Sequence, residues 1–320
     1  MKAAIYKNYG PPEVVSLVDF PTPALNDNQV LIKVHATTVN RTDCGFRSAE
    51  YFVSRFFSGL FKPNFPILGC EFAGNIVAIG KDVSLYHVSD RVFGYNDSKF
   101  GAHAEFIVMS ESDCMAIIPP SFNYYEAAAI TEGAHYALCD IRAAKISPNQ
   151  NVLINGATGA IGSAAVQIVK SIGARVTAVC ATKNMDLVKS LGADVVIDFL
   201  KEDFTQLNDQ FDVVFDAVGK STFGKCKPLL KFGGIYLSTE LGPGWQNPLL
   251  AITTFFIGRK KVLFPIPSCN KQDLEYLKHL AETGQFKPVV DRIYNLDQIV
   301  EAYRYVESGQ KVGNVIIKIC

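Results

Sequence analysis

The clearest chemistry-bearing residues in this 320-residue chain are three glycines at three-residue spacing, in Asn155-Gly156-Ala157-Thr158-Gly159-Ala160-Ile161-Gly162. They follow the short β-rich run Val152–Ile154 and open an apolar helical stretch, Gly162–Ile172. Glycine permits a tight turn and a close approach of main chain to a pyrophosphate, and a helix N-terminus offers oriented N–H groups with partial positive charge. The strand–loop–helix setting within a βαβ alternation gives the glycines their meaning. About 20 residues on, where a site for NAD usually carries an acid to hold the ribose 2′-hydroxyl, the chain reads Val179-Cys180-Ala181-Thr182-Lys183-Asn184. An acid would repel a 2′-phosphate, whereas Lys183 and the Thr182 hydroxyl suit one. The expected cofactor is NADP(H), held by Gly156, Thr158, Gly159, Ala160, Ile161 and Gly162 at the pyrophosphate and by Cys180, Thr182 and Lys183 on the adenosine side. Asp198 is a further candidate near the adenosine, with a plain turn carboxylate as the alternative. Val218, Gly219, Ser238 and Thr239 are expected along the nicotinamide half.

The elements that must position these residues change character along the chain. Val30–Val34, Phe72–Ile79 and Phe106–Met109 read as strands in a segment punctuated by Gly and Pro. From Tyr124 to about Ala144 the pattern is helical. Beyond Pro148, Val152–Ile154, Arg175–Val179, Val195–Asp198, Val213–Asp216 and Ile235–Ser238 read as strands alternating with helices, which indicates a parallel sheet. Leu296–Val306 then reads as an amphipathic helix and Val315–Ile319 as a closing strand. The expected fold class is α/β, a β-rich domain bracketing a doubly wound parallel-sheet domain.

Composition excludes several classes. The 31 basic and 31 acidic side chains balance, so the chain lacks the cationic surface of a general nucleic-acid binder. With 48% hydrophobic and 19% charged residues it can bury a large core. None of the eight cysteines has C-x-x-C spacing, and their scatter suits reduced thiols in the cytoplasm. The start, MKAAIYKNYG, has neither the apolar core of a signal peptide nor an Arg-rich amphipathic pattern. Leu249–Ile257 is too short to span a membrane and is expected to be buried or at an interface.

Nearly end to end, the sequence resembles the medium-chain dehydrogenase/reductase superfamily, and within it the zinc-independent quinone-oxidoreductase-like branch. The resemblance rests on VLIKVHATTVNRTD, ILGCEFAGNIVAIG, SDRVFG, NVLINGATGAIGSAAVQIVKSIGA, SLGADVVID, FDVVFDAVG and LKFGGIYLS. It implies a GroES-like catalytic domain over 1–121 and 286–320, and a Rossmann domain over 122–285. It also implies a cofactor in the cleft between them, and a homodimer.

Zinc-dependent relatives carry a cysteine-lined structural zinc lobe, for which this chain has no cysteine cluster. Their catalytic zinc sits on a Cys, a His in Gly-His-Glu and a second Cys; here those positions read Asn40, Cys70 in Gly69-Cys70-Glu71, and Glu132. Cys70, Glu71 and Glu132 carry ligand atoms, yet no metal is expected. A zinc-free site must polarise its substrate carbonyl with hydrogen bonds. Asn40 and Thr42 are the catalytic candidates, with Arg41 for the cofactor pyrophosphate. In the zinc-dependent relatives the residue matching Thr42 is a hydroxyl that relays a proton, and many zinc-free quinone reductases lack it. The alternative is that Asn40 and Thr42 only brace their loop. Tyr51, within an aromatic-rich stretch, resembles a substrate-facing tyrosine of the branch, with core packing of that stretch as the alternative. Near the C-terminus, Lys311-Val312-Gly313-Asn314 resembles the family's closing Gly-Lys, with Asn314 in place of the lysine.

The expectation is an NADPH-dependent reductase of a hydrophobic quinone or α,β-unsaturated carbonyl. An alcohol dehydrogenase or aldehyde reductase of the same superfamily is the second reading. A catalytically silent NADPH-binding interaction protein is the third.

Overall fold

The computed structural model describes residues 1–50, 52 and 55–319, with the backbone alone at residue 57. Tyr51, expected at the substrate, lies outside the described residues. Two compact units emerge: 1–132 with 269–282 and 288–320, and 133–268 with 283–287. The boundaries therefore differ from 121/122 and 285/286. The helix α3 (Tyr124–Ala128) stays with the first unit because it packs on that unit's sheet.

The first unit contains β1 (Lys2–Tyr6), β2 (Val15–Asp19), β3 (Gln29–Val39), β4 (Glu71–Ile79), β5 (Arg91–Tyr95), β6 (Phe106–Ser110) and β7 (Met115–Ile117). Helix α1 (Arg41–Ser48) follows β3, and α2 (Arg55–Ser58) is a single turn. The helical pattern from Tyr124 to about Ala144 forms as two helices: α3 ends at Ala128 and α4 (Glu132–Ala143) starts afresh. A capping box at Asn123 starts α3. The break leaves the N–H of Glu132, an orphan donor at a helix start, to bond a side chain of β4.

The second unit runs β8 (Asn151–Asn155), α5 (Ala160–Ser171), β9 (Arg175–Cys180), α6 (Met185–Ser190), β10 (Val195–Asp198), β11 (Phe211–Asp216), α7 (Phe223–Cys226), β12 (Leu230–Ser238), α8 (Gln246–Ile257) and β13 (Lys261–Leu263). These strands form one parallel sheet in the order β10-β9-β8-β11-β12-β13. Its core includes Leu153, Val179, Val214, Leu230, Tyr236 and Val262. The chain returns to the first unit with α9 (Lys271–Glu282), β14 (Val290–Asn295), α10 (Ile299–Glu307) and β15 (Asn314–Lys318). Strand β15 pairs antiparallel with β3, so the C-terminal segment completes the first unit's sheet.

Leu249–Ile257 lies in α8, and a wholly buried segment is not what forms. Only Asn247 and Thr254 are buried, while Leu249, Ile252, Phe255, Phe256 and Ile257 are each more than 60% exposed. The helix is apolar on both faces, and the sheet covers only one. Among the described residues no helix is long and apolar enough to cross a membrane.

Candidate active site

In the first unit the candidate residues converge where β3, α1, β4 and the start of α4 meet. Asn40 is the N-cap of α1: its side chain accepts from Asp43 N at 2.9 Å, and the Asp43 carboxylate accepts from Asn40 N at 3.2 Å. The Asn40 amide is buried and donates to Cys70 Sγ at 3.0 Å and to Thr38 Oγ1 at 3.4 Å. Bracing is therefore what Asn40 does in this structure. Asp43 also accepts from Gly69 N at 3.0 Å, tying α1 to the segment that enters β4. Gly69 sits at φ +89°, and a Cβ there would come within 2.7 Å of His103 N. His103 is structural. Its Nε2 donates to Thr38 O at 2.8 Å and its Nδ1 accepts from the Tyr303 hydroxyl at 3.4 Å. Burial pushes its pKa down to about 4.

Thr42, in the first turn of α1, donates to Glu132 Oε1 at 3.0 Å. Glu132 is buried beside a second buried carboxylate, Glu71. Glu71 Oε2 accepts from Thr38 Oγ1 at 2.5 Å, and its Oε1 accepts from Thr131 Oγ1 at 2.7 Å and from Glu132 N at 2.5 Å. Desolvation first, and then the Glu71 charge, pushes Glu132 up to about 7; the Lys311 ammonium and the Thr42 bond pull the other way. Glu71 is raised by burial against those hydrogen bonds. Two buried acids this close titrate as a pair, and the pair retains a proton near neutrality. The Cys70 thiol is pushed up by burial and then by Asp43, Glu71 and Glu132.

Lys311, passed over in the sequence, belongs to this cluster. Its Nζ donates to Gly313 O at 2.7 Å, and its pKa is lowered by burial against the pull of Glu132 first. Asn314 donates instead to Val289 O at 3.0 Å. The sequence signal was a lysine three positions upstream of the place where the family resemblance put one.

In the second unit the remaining candidates sit at the carboxyl ends of the parallel strands. Gly156 turns the chain at φ +78° as β8 ends. A Cβ on Gly162 would meet Gly156 O at 2.1 Å, so α5 can pack this close only with glycine there. Gly159 is the N-cap of α5 and supplies no side chain, and a Cβ there would find nothing nearer than 3.8 Å. The first N–H groups of a twelve-residue helix, at Ala160, Ile161 and Gly162, thus open the helix without a side-chain cap, with Thr158 half-buried just before them. This cradle fits a pyrophosphate.

Thr182 departs from expectation. Its hydroxyl donates to Asp198 Oδ2 at 2.5 Å, so its proton is turned to a carboxylate. That bond, the Leu200 N–H and Lys201 hold Asp198 below the usual carboxylate range. Lys201 Nζ lies 3.6 Å from Asp198. The cations here are the exposed Lys183 and Lys201, and only the first was anticipated. Cys180 is buried opposite Asp198 in the β9–β10 register.

At the other half, buried Asp216 organises the strand ends. It accepts from Asn155 Nδ2 at 3.0 Å and from Ser221 N at 2.8 Å. Val218 packs over Gly156, and Gly219 sits at φ +63° against Glu240. Ser238 is buried at the end of β12, and Thr239 N donates to Asp216 O at 3.3 Å. Asp216 was legible as a strand end and Asn155 only as the first residue of the glycine loop, and nothing in the sequence marked their bond. Arg41 is exposed at the first position of α1.

Residues 26–120 match the family described as "Alcohol dehydrogenase GroES-like domain", and residues 191–317 match "Zinc-binding dehydrogenase". A 2-methylene-furan-3-one reductase of Solanum lycopersicum is 30% identical, the alignment covering 99% of this chain and 79% of that protein. A chloroplastic NADPH-dependent alkenal/one oxidoreductase of Arabidopsis thaliana is 28% identical over the same shares. The solved quinone oxidoreductase of Coxiella burnetii superposes with a TM-score of 0.89 at 27% identity, covering 100% of this chain and 99% of that one. Fold, glycine cradle and relatives agree, and the chain belongs to the medium-chain dehydrogenase/reductase superfamily, in its quinone-oxidoreductase-like branch.

Proposed function

We propose that this protein is an NADPH-dependent reductase of quinones or α,β-unsaturated carbonyls that works without zinc. The observation that carries the reading is the Thr42–Glu132 hydrogen bond, with Glu132 poised near neutrality. The similar proteins named for alkenal/one, methylene-furanone and quinone reduction support the substrate class.

When bound, the nicotinamide supplies a hydride to the electrophilic carbon of the substrate. The rest of the work falls to side chains. The substrate oxygen gains negative charge and needs a proton or a donor. With Glu132 ionised, the Thr42 hydroxyl points its proton at Oε1. With Glu132 protonated, the acid donates to Thr42 Oγ1 and turns the Thr42 proton outward to the substrate oxygen. Glu132 is then the proton reservoir, Thr42 the donor, and Lys311 the charge that limits how far Glu132 rises. Asn40 is a positioning residue that fixes α1, and with it Thr42.

Zinc-free chemistry is supported by what the donor atoms are doing. Cys70 is held as a thiol and accepts from Asn40, and the Glu71 oxygens are taken by Thr38, Thr131 and the Glu132 amide. Among the described residues no three His, Cys, Asp or Glu side chains group as a metal site. This donor set does not fit a catalytic zinc.

The NADPH preference rests on Lys183, with Lys201 offsetting the Asp198 charge. The apolar stripe on α8 supports a homodimer, which sedimentation would test. Among the described residues no cysteine is in a disulfide, which suits the cytoplasm. Steady-state reduction of an enone with NADPH tests the chemistry. Thr42→Val is expected to lower kcat by about a hundredfold with little change in KM. Unchanged kcat would remove Thr42 from the reaction.

A further inference from the structure

We propose that Cys114 and Cys269 form a dithiol site that a hydroperoxide converts to a disulfide. Neither residue belongs to the reaction described above. Cys114 ends the turn between β6 and β7, and Cys269 lies two residues before α9, where the chain re-enters the first unit. The two thiols, 155 positions apart in sequence, line the same cavity, and each is the first influence on the other's titration. Both line one open cavity of about 390 Å³, together with Lys99, Asp113, Asn270 and Lys271. Both are half-buried, so a small oxidant reaches them while the surroundings hold them together.

The segments carrying the thiols are already docked. Lys271 Nζ donates to Glu111 O at 3.4 Å and lies 5.5 Å from the Tyr86 ring centroid, and α9 packs on β7. Neither cysteine is in a regular helix or strand, so the backbone can adjust by the small amount that a bond of about 2.05 Å requires.

The pair is chemically unequal. Of the seven described cysteines, Cys114 alone has its pKa lowered: the neighbouring Cys269 thiol stabilises its thiolate against burial, Asp113 and Asp97, with a lesser pull from Lys271. Cys44, Cys70, Cys139, Cys180, Cys226 and Cys269 are all raised. A stabilised thiolate with an adjacent thiol is the arrangement of an attacking and a resolving cysteine. The Cys114 thiolate attacks a peroxide oxygen; the O–O bond breaks, hydroxide leaves, and Cys114 becomes a sulfenic acid. The Cys269 sulfur then attacks Cys114 Sγ; the S–O bond breaks and hydroxide leaves with the Cys269 proton as water. In total two thiols and one hydrogen peroxide give one disulfide and two waters.

The test is to treat the full chain with equimolar hydrogen peroxide, quench with an alkylating agent, and map peptides without reduction. A cross-linked Cys114–Cys269 peptide is expected, lighter than its two parts by two hydrogens, with two of the eight thiols lost. In Cys269→Ser the Cys114 sulfenic acid is expected to persist and be trapped by dimedone. The wild-type map needs no variant to fold. Unlinked Cys114 and Cys269 peptides after peroxide, or oxidation of Cys139 at an equal or faster rate, would overturn the proposal.

Discussion

The Thr42 hydroxyl meets the Glu132 carboxylate at 3.0 Å, although the two residues are 90 positions apart. One sits on the first turn of α1 and the other opens α4. Glu71, on β4, joins them by holding the Glu132 amide and the Thr131 hydroxyl. A hydroxyl is thereby coupled to a buried acid pair in a way that spacing in sequence does not reveal.

This coupling sets a pH dependence. In the proposed mechanism the protonated form of Glu132 is the active one, so kcat is expected to fall as pH rises through about 7. In Glu132→Gln the carboxamide donates to Thr42 at every pH, and the alkaline fall should vanish. The folded pKa lies above the unfolded one, so this contribution to stability is fully present below about 4.5 and is lost as pH rises through about 7. The loss is at most about 3 kcal/mol, and Glu132→Gln should recover part of it at pH 8. Thermal melts and pH–rate profiles of both proteins read these effects; an alkaline limb retained in Glu132→Gln would assign it to another group.

Acid stability carries the opposite sign. His103 is neutral in the fold, with its pKa near 4 against an ordinary 6.5. The unfolded chain takes up the proton first, so stability falls as pH drops from about 6.5 towards 4. His103→Gln, which keeps a donor for Thr38 O, should flatten that part of a chemical-denaturation series. An unchanged slope would shift the cause to His135, the other buried histidine with a lowered pKa.

Cofactor choice is expected to respond to two substitutions in opposite directions. Lys183→Ala should weaken NADPH by roughly tenfold, the scale of one charge-assisted contact, and leave NADH nearly unchanged. Asp198→Asn removes a negative charge and frees the Thr182 proton, and should tighten NADPH relative to NADH. Fluorescence titration of both nucleotides measures each effect. Equal changes for the two cofactors would dissociate this corner from the 2′-phosphate.

Gly162→Val places side-chain atoms where even a Cβ would lie 2.1 Å from Gly156 O. Helix α5 must then move away from the strand ends. Loss of nucleotide binding is expected, with a fall in stability of about 1–3 kcal/mol. Binding at wild-type affinity would show that the loop tolerates a wider turn.

Much of this was legible in sequence because it is local. The strand Val195–Asp198 forms with the bounds read from its β-branched run, and the glycine loop sits between a strand and a helix as its spacing requires. What escaped was set by tertiary contacts. The break between α3 and α4 has no glycine or proline to announce it; it exists because Glu71, 61 positions away, claims the Glu132 amide. Thr182 looked like a phosphate donor until Asp198, brought alongside by the β9–β10 register, took its proton. Lys311 was hidden because its reach to the acid pair depends on the turn at Gly313, which sits at φ +74°.

The most direct measurement is turnover of chelator-treated protein with NADPH across quinones and α,β-unsaturated carbonyls, with metal content determined on the same sample. The expected result is reduction of at least one enone or quinone at less than a tenth of a metal per chain, with NADPH preferred over NADH. Activity that appears only on restoring stoichiometric zinc, with alcohol oxidation in place of enone reduction, would contradict it.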